Sequence, residues 1–245
     1  MQGSFKMEFT LHPSNSRGTA DFGWLKSRHS FSFGHYYNAE RMGFGALRVL
    51  NDDWVAPGAG FGTHPHSNME IISIALKGDL QHRDSMGNVA VIRENEIQVM
   101  SAGSGITHSE MNANGDRPVE FLQIWIIPNQ HNVSPRYDQM NIEIVEQKNQ
   151  FVPLIAPLGD ASNTLWLHQN AWLSMAYAEE GALLNYLQHD EQNGMYLFCI
   201  DGSCTIENEI TLQTRDAVCV LNTEGIVLKS TAASKFLIIE TPLHP

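Results

Sequence analysis

Apolar residues along this chain come in short clusters broken by turn-forming residues, and helical three-to-four-residue spacing is scarce. In the first half the clusters are GALRVL (45–50), EIISIAL (70–76), VAVI (89–92), EIQVM (96–100) and VEFLQIWII (119–127). Gly, Asn, Asp and Pro separate them, a rhythm that predicts the many short strands of a β-sandwich or barrel. DSMGN (84–88) predicts a hairpin turn, because Gly87 can adopt positive φ. PNQHNVSPRYDQMN (128–141) is polar, holds two prolines and reads as a connection. Strand-like clusters then resume at TLWLHQ, AWLSMAYA and LLNYLQ, followed by MYLFCI, SCTIE, AVCVL, IVLKS and KFLIIET. Their count and spacing resemble those of the first set. The economical prediction is an all-β chain of two tandem barrels, 1–135 and 136–245, with the boundary inside 128–150; one large sandwich is the alternative.

Two of these segments carry chemistry. In FGTHPHSNMEIIS (61–73), His64 and His66 stand two apart, so a strand turns both imidazoles to one face. Pro65 between them cannot donate to a strand ladder, which predicts a sheet edge or a bulge. Glu70 has the same parity and can share that face. In AGSGITHSEMN (102–112), His108 and Glu110 repeat the spacing. Three imidazoles and a carboxylate from two strands suit a borderline divalent metal. Strand parity alone leaves open whether Glu70 or Glu110 is the carboxylate. In a chain with 11 histidines, hydrogen-bonded surface imidazoles would explain one such pair more easily than two, each following a Gly-rich turn. His168 and His189 have no such partner and read as structural.

Charge and composition narrow the function further. Fifteen Lys+Arg against 27 Asp+Glu give a net charge of −12 with no basic run, a poor basis for binding DNA or RNA directly. No apolar stretch reaches the ~18 residues of a membrane span. The opening MQGSFKMEFT lacks the apolar core of a secretion signal; Met7 could be the natural start. Cys199, Cys204 and Cys219 show no CxxC spacing and read as buried hydrophobes in a reducing compartment, so a cytoplasmic protein is expected.

The spacing of the two histidine segments resembles the two cupin motifs. The first runs Gly58, five residues, His64-x-His66, three residues, Glu70, and later Gly78. The second runs Gly105, two residues, His108, three residues, Asn112. One extra residue precedes Gly78, Gly103 stands where the second motif usually has Pro, and Ile97 stands where it usually has Gly. More narrowly, HYYNAERMGFGALRVLNDDWVAPGAGFGTHPHSNMEI (35–71), HRDSMGN (82–88) and MSAGSGITHSEMN (100–112) resemble the pirin family, and most of all its bacterial quercetinase members. The likeness runs from Phe22-Gly23-Trp24 through SPRYDQ (134–139). Beyond it only the strand rhythm and GSCTI (202–206) are cupin-like.

The resemblance implies a bicupin of two jelly-roll barrels. It also implies that the carboxylate ligand comes from the second motif. The metal ligands would then be His64, His66, His108 and Glu110, with Glu70 behind them or structural. The family's usual metal is iron, Fe(II), although other divalent ions can occupy such sites. The C-terminal cupin is expected to have lost its ligands and to supply packing and one wall of a cleft. The implied reaction is opening of the central ring of a flavonol such as quercetin by O2 with release of CO, with Glu110 also accepting the substrate's hydroxyl proton. Phe44, Phe61 and Trp54 are candidate walls for a flat ring, or ordinary core. Two other readings share the ligand set: an iron-dependent redox regulator acting through a protein partner, and a cupin enzyme with another natural substrate.

Overall fold

The computed structural model describes residues 6–142, 146–160 and 163–244. Among them, strands dominate, and the sole helical element is a 3-10 turn at Ser14–Ser16. No helix is long and apolar enough to cross a membrane. The described residues divide into two compact units, one built from 18–142, 157–160 and 163–169, the other from 6–17, 146–156 and 170–244. This is not the single cut expected near residue 135. The first strand, β1 (Glu8–His12), pairs along its length with β20 (Ala217–Leu221), so this strand belongs to the second unit. Its thirteenth strand in chain order, β13 (Val152–Pro157), pairs there with β15 (Trp172–Ala178).

The first unit is a two-sheet cupin barrel. Its larger sheet contains β2 (Gly18–Asp21), β3 (Leu25–His29), β4 (Leu47–Val55), β6 (Glu70–Lys77), β9 (Glu96–Ser101), β11 (Val119–Ile126) and β12 (Arg136–Asn141). Their order is β12-β9-β6-β11-β4-β3-β2. The smaller sheet runs β5-β10-β7-β8, comprising β5 (Gly60–His66), β10 (Ile106–Asn112), β7 (Leu80–Asp84) and β8 (Val89–Ile92). Leu25, Val55, Ala75, Val119 and Phe121 of the large sheet pack with Leu80 and Ile92 of the small one, closing one end of the barrel with apolar side chains.

The predicted clusters at 70–76, 89–92, 96–100 and 119–127 each become a strand, and DSMGN is the β7–β8 turn, with Gly87 at φ 94°. The segment read as a connection, 128–141, differs. Its last six residues form β12, which pairs antiparallel with β9 from Arg136↔Ser101 to Asn141↔Glu96. The two prolines lie ahead of that stretch, so every residue of β12 keeps an amide for the ladder.

The second unit repeats the two-sheet plan. One sheet contains the run β1-β20-β17-β22-β15-β13, with β17 (Asn193–Asp201) and β22 (Ser234–Pro242) at its centre. The other is β16-β21-β18-β19, formed by β16 (Leu183–Leu187), β21 (Gly225–Ser230), β18 (Ser203–Ile206) and β19 (Ile210–Gln213). Ala176, Leu197, Cys199, Cys204, Val218, Leu228, Phe236 and Ile238 form one continuous apolar cluster in the interior of this unit, beside which the buried Glu240 carboxylate accepts from Tyr186 (3.0 Å) and Asn193 (2.9 Å). His189, outside that cluster and partly exposed, stacks on Trp172 and bonds the buried carboxylate of Glu240 at 2.8 Å.

Gly103, the departure from the cupin pattern, lies in the turn that leads into β10. It holds φ 47°, a conformation closed to proline, and a Cβ there would lie 2.1 Å from the Val133 carbonyl oxygen. Gly103→Ala should therefore destabilise the protein by about 1–2 kcal/mol for the left-handed backbone alone, and more for the clash. Thermal unfolding should show a midpoint several degrees lower; an unchanged midpoint would contradict this reading of the turn.

Candidate metal centre

The small sheet delivers the three histidines. β5 is its edge strand, where Pro65 costs no ladder bond. Pairing with β10 sets His64 directly opposite His108, with a bulge between this pair and the next, Glu110↔Phe61. Side chains of β10 alternate as its sequence predicts: Ile106, His108, Glu110 and Asn112 are buried, whereas Thr107, Ser109 and Met111 are more open. The imidazoles of His64, His66 and His108 converge, with centroid separations of 4.5 Å (His64–His108), 4.9 Å (His64–His66) and 4.9 Å (His66–His108). One nitrogen from each lies within 4.8 Å of the others. His64 donates from Nδ1 to the Gly62 carbonyl at 2.7 Å, which leaves Nε2 as its bare nitrogen.

Glu110 adjoins this group but stands outside the three-nitrogen cluster. Its carboxylate is fully buried and accepts from Ser73 Oγ (2.7 Å) and Gln98 Nε2 (3.0 Å) on one oxygen and from Gln123 Nε2 (2.5 Å) on the other. These donors come from β6, β9 and β11, so the large sheet grips a carboxylate presented by the small one. A carboxylate accepts about four bonds, so three donors leave capacity for one more partner. Glu70 faces away, bonded to Ser101 (2.7 Å) and to His168 (3.1 Å).

Sequence reasoning missed several neighbours. Trp125 lies edge-on to His66 at 4.9 Å and meets Phe33 at 5.4 Å. His82 lies 5.5 Å from His108, and stacks on Tyr137 at 4.4 Å. Inward parity on β7 and β11 could have flagged His82, Gln123 and Trp125; nothing local signals Phe33, which sits in a loop. Two of the rings weighed as pocket walls or ordinary core pack against other side chains. Phe61 lies against Trp24 and Phe121, Trp54 lies under Lys26, and Phe44 is buried beside Leu47. An open cleft of about 480 Å³ reaches His66 between Pro65, Ser85, Ile106 and Thr107, a size that suits a small-molecule ligand.

Electrostatics favour uncharged imidazoles. Burial, with His64 beside it, lowers His66 from 6.5 to about 4. Burial, then His64, His66 and His82, lowers His108 to about 3. Burial pushes the Glu110 carboxyl up, opposed by Ser73, the His82 and His64 imidazoles and Gln123. Asp53, deeper in the barrel, rises to about 7 through burial, against a Ser27 hydrogen bond and with Asp52 and Glu110 nearby.

These residues fit a divalent metal. His66 Nε2 and both nitrogens of His108 are buried without a hydrogen-bond partner, an arrangement that costs about 1–3 kcal/mol per orphaned group in a folded protein. Neutral imidazoles are the protonation state a metal requires. Three nitrogens from two strands would hold one ion and leave further positions for Glu110 and a ligand.

Two cupin-type barrels, with a three-imidazole cluster in the first, define a bicupin. Comparison with known proteins gives the family. Residues 10–126 match the family model described as Pirin, and residues 154–241 match that of the quercetinase C-terminal cupin domain. The quercetin 2,3-dioxygenase of Escherichia coli K12 is 36% identical over 95% of this chain and 98% of its own length. A pirin-like protein of Caulobacter vibrioides is 33% identical over 93% of this chain and 97% of its own. The crystal structure of the bacterial pirin YhhW from Escherichia coli in complex with nickel(II) superposes with a TM-score of 0.89. It has 34% identity and covers 96% of this chain and 99% of that one. The chain belongs to the pirin family.

The lowered basicity of the two inner imidazoles is directly measurable. In the metal-free protein, His66 and His108 should take up protons only as the pH falls towards about 4 and about 3. Imidazole resonances followed by NMR should show both rings neutral at pH 5.5, where a free histidine is mostly protonated. Midpoints near 6.5 for both would contradict the buried cluster.

Proposed function

We propose that this protein is a metal-dependent dioxygenase that opens the central ring of a flavonol such as quercetin with O2 and releases CO. The observation that carries the reading is the cluster of three imidazoles, with orphaned nitrogens on His66 and His108, beside an open cleft that reaches His66. The names borne by its relatives, quercetin 2,3-dioxygenase among them, support the choice of substrate. The metal, Fe(II) in this reading, supplies when bound a Lewis-acidic centre for the flavonol 3-hydroxyl oxygen and for O2.

His64, His66 and His108 hold the ion as neutral ligands, and Glu110 completes the set. Glu110 has a second role. Burial raises its affinity for a proton in the metal-free protein, and its one open acceptor position serves the substrate's hydroxyl proton when the carboxylate swings off the ion. Ser73, Gln98 and Gln123 aim it and oppose the cost of its burial. Trp125 and Phe33, packed edge to face beside His66, give the site an apolar wall suited to a flat ring system and help to exclude water.

The test is oxygen consumption and CO release with quercetin, using protein of known metal content. Turnover should depend on metal and be lost in His64→Ala. Fully iron-loaded protein that forms no product would overturn the assignment and shift the weight to a metal-dependent regulator or another substrate. Glu110→Gln separates its two roles. It should lower kcat by about 100-fold or more, the scale of general-base catalysis, while metal content falls far less. Equal losses of turnover and metal would reduce Glu110 to a ligand.

A further inference from the structure

The HRDSMGN segment contributes a motif that this mechanism does not use. Asp84 closes the β7–β8 turn, its Oδ1 accepting from the amides of Met86 (2.9 Å) and Asn88 (3.1 Å). Its Oδ2 accepts from Asn88 Nδ2 (2.8 Å) and from His82 Nε2 (3.0 Å). A carboxylate held by donors on both oxygens only accepts, so His82 must carry its proton on Nε2. Its Nδ1 is then a bare acceptor.

That acceptor has no partner. His82 is fully buried, and Nδ1 is among the orphaned atoms of the interior. The register of β7 and β10 sets Asp84 across from His108 and His82 across from Glu110. The His82 and His108 rings are 5.5 Å apart. His108 has two orphaned nitrogens, and one imidazole offers only one of them to a given ion. The other bears a hydrogen and needs an acceptor.

We propose that Asp84, His82 and His108 form a relay behind the metal centre: the His82 and His108 rings share no hydrogen bond in this structure, and on giving one nitrogen to an ion His108 turns the N–H of the other to His82 Nδ1. The inference rests on the metal-centre reading above and concerns positioning: neither Asp84 nor His82 touches substrate. Asp84 fixes the His82 tautomer, and His82 pins the His108 ring and makes it a better donor to the metal. The turn motif and the ligand strand thus form one device, with the carboxylate of a hairpin setting the strength of a ligand on the neighbouring strand.

Asp84→Asn tests this with little change of shape. The new amide oxygen can still serve the turn amides, but its NH2 would face His82 Nε2. The imidazole must then move its proton to Nδ1, where it opposes the His108 N–H donor to donor. Nickel(II) affinity of the full-length protein, measured by calorimetry, should fall about 10-fold or more, the usual cost of losing such a supporting partner. His82→Phe should cost a similar factor, and the double variant should be no weaker than either single one, as expected for members of one chain. Asn88→Ala removes a bond to the same Asp84 oxygen but leaves the tautomer alone, so it should lower the melting temperature and leave nickel affinity near wild type. Loss of charge alone cannot move the tautomer, so 15N NMR of the zinc-loaded protein provides a second readout. His82 should be protonated on Nε2 in the wild type and on Nδ1 in Asp84→Asn. Equal nickel affinity in Asp84→Asn and Asn88→Ala, or a wild-type His82 protonated on Nδ1, would overturn the relay while leaving the metal centre standing. Wild-type protein that fails to bind nickel would overturn both.

Discussion

Three imidazoles brought within 4.5–4.9 Å of one another in a half-buried pocket cannot all be charged, and left neutral they have more lone pairs than hydrogen-bond donors to meet them. That unmet demand is the constraint on which the rest of the first barrel depends. Burial and mutual repulsion hold His66 and His108 neutral, and the Gly62 carbonyl turns the bare nitrogen of His64 towards them. A bound cation would satisfy all three at once. The surrounding structure fixes the cluster. An edge strand tolerates Pro65, a bulge re-aims the chain between the His64–His108 and Phe61–Glu110 pairs, and Gly103 makes the turn that β10 needs.

The two barrels show what the cluster demands of its scaffold. In the first, the inner face of the large sheet carries Ser73, Gln98 and Gln123 on adjacent strands, a polar row on that face. Its evident purpose is to hold Glu110. In the second, the inner strands carry residues such as Ala176, Leu197 and Ile238, and the buried carboxylate beside them, Glu240, is met by Tyr186, His189 and Asn193 rather than by an imidazole cluster. Burying polar groups without partners would cost stability, so in each barrel a buried carboxylate and its donors occur together.

Much of this was legible in the chain. Period-two alternation and turn residues disclosed the β architecture, and the HxH and HxE pairs disclosed their strands, because inward parity is a local property. Pro65 correctly signalled an edge. What escaped depends on long-range pairing. β12 lay hidden in a polar, proline-containing stretch because an edge strand needs amides more than apolar side chains. That β1 joins the second unit follows only from its register with β20, some 200 residues away. The two candidate carboxylates had equal parity in the sequence, and only the sheets separate them: Glu70 is turned outward to Ser101 and His168, Glu110 inward beside the imidazoles. Phe61 and Trp54, weighed as pocket wall or ordinary core, pack against other side chains, because proximity in sequence to the histidines is not proximity in the barrel. Trp125, on a strand of the other sheet, is the ring that meets His66.

The central claim is that His64, His66 and His108 together ligate one metal ion. X-ray absorption at the metal edge of the reconstituted, full-length protein tests it most directly, because the outer-shell scattering of imidazole rings counts histidine ligands. The account predicts the signature of three imidazoles with oxygen donors filling the remaining positions, falling to two in His108→Ala. A spectrum with oxygen donors alone, or with a single imidazole that persists in His108→Ala, would contradict it.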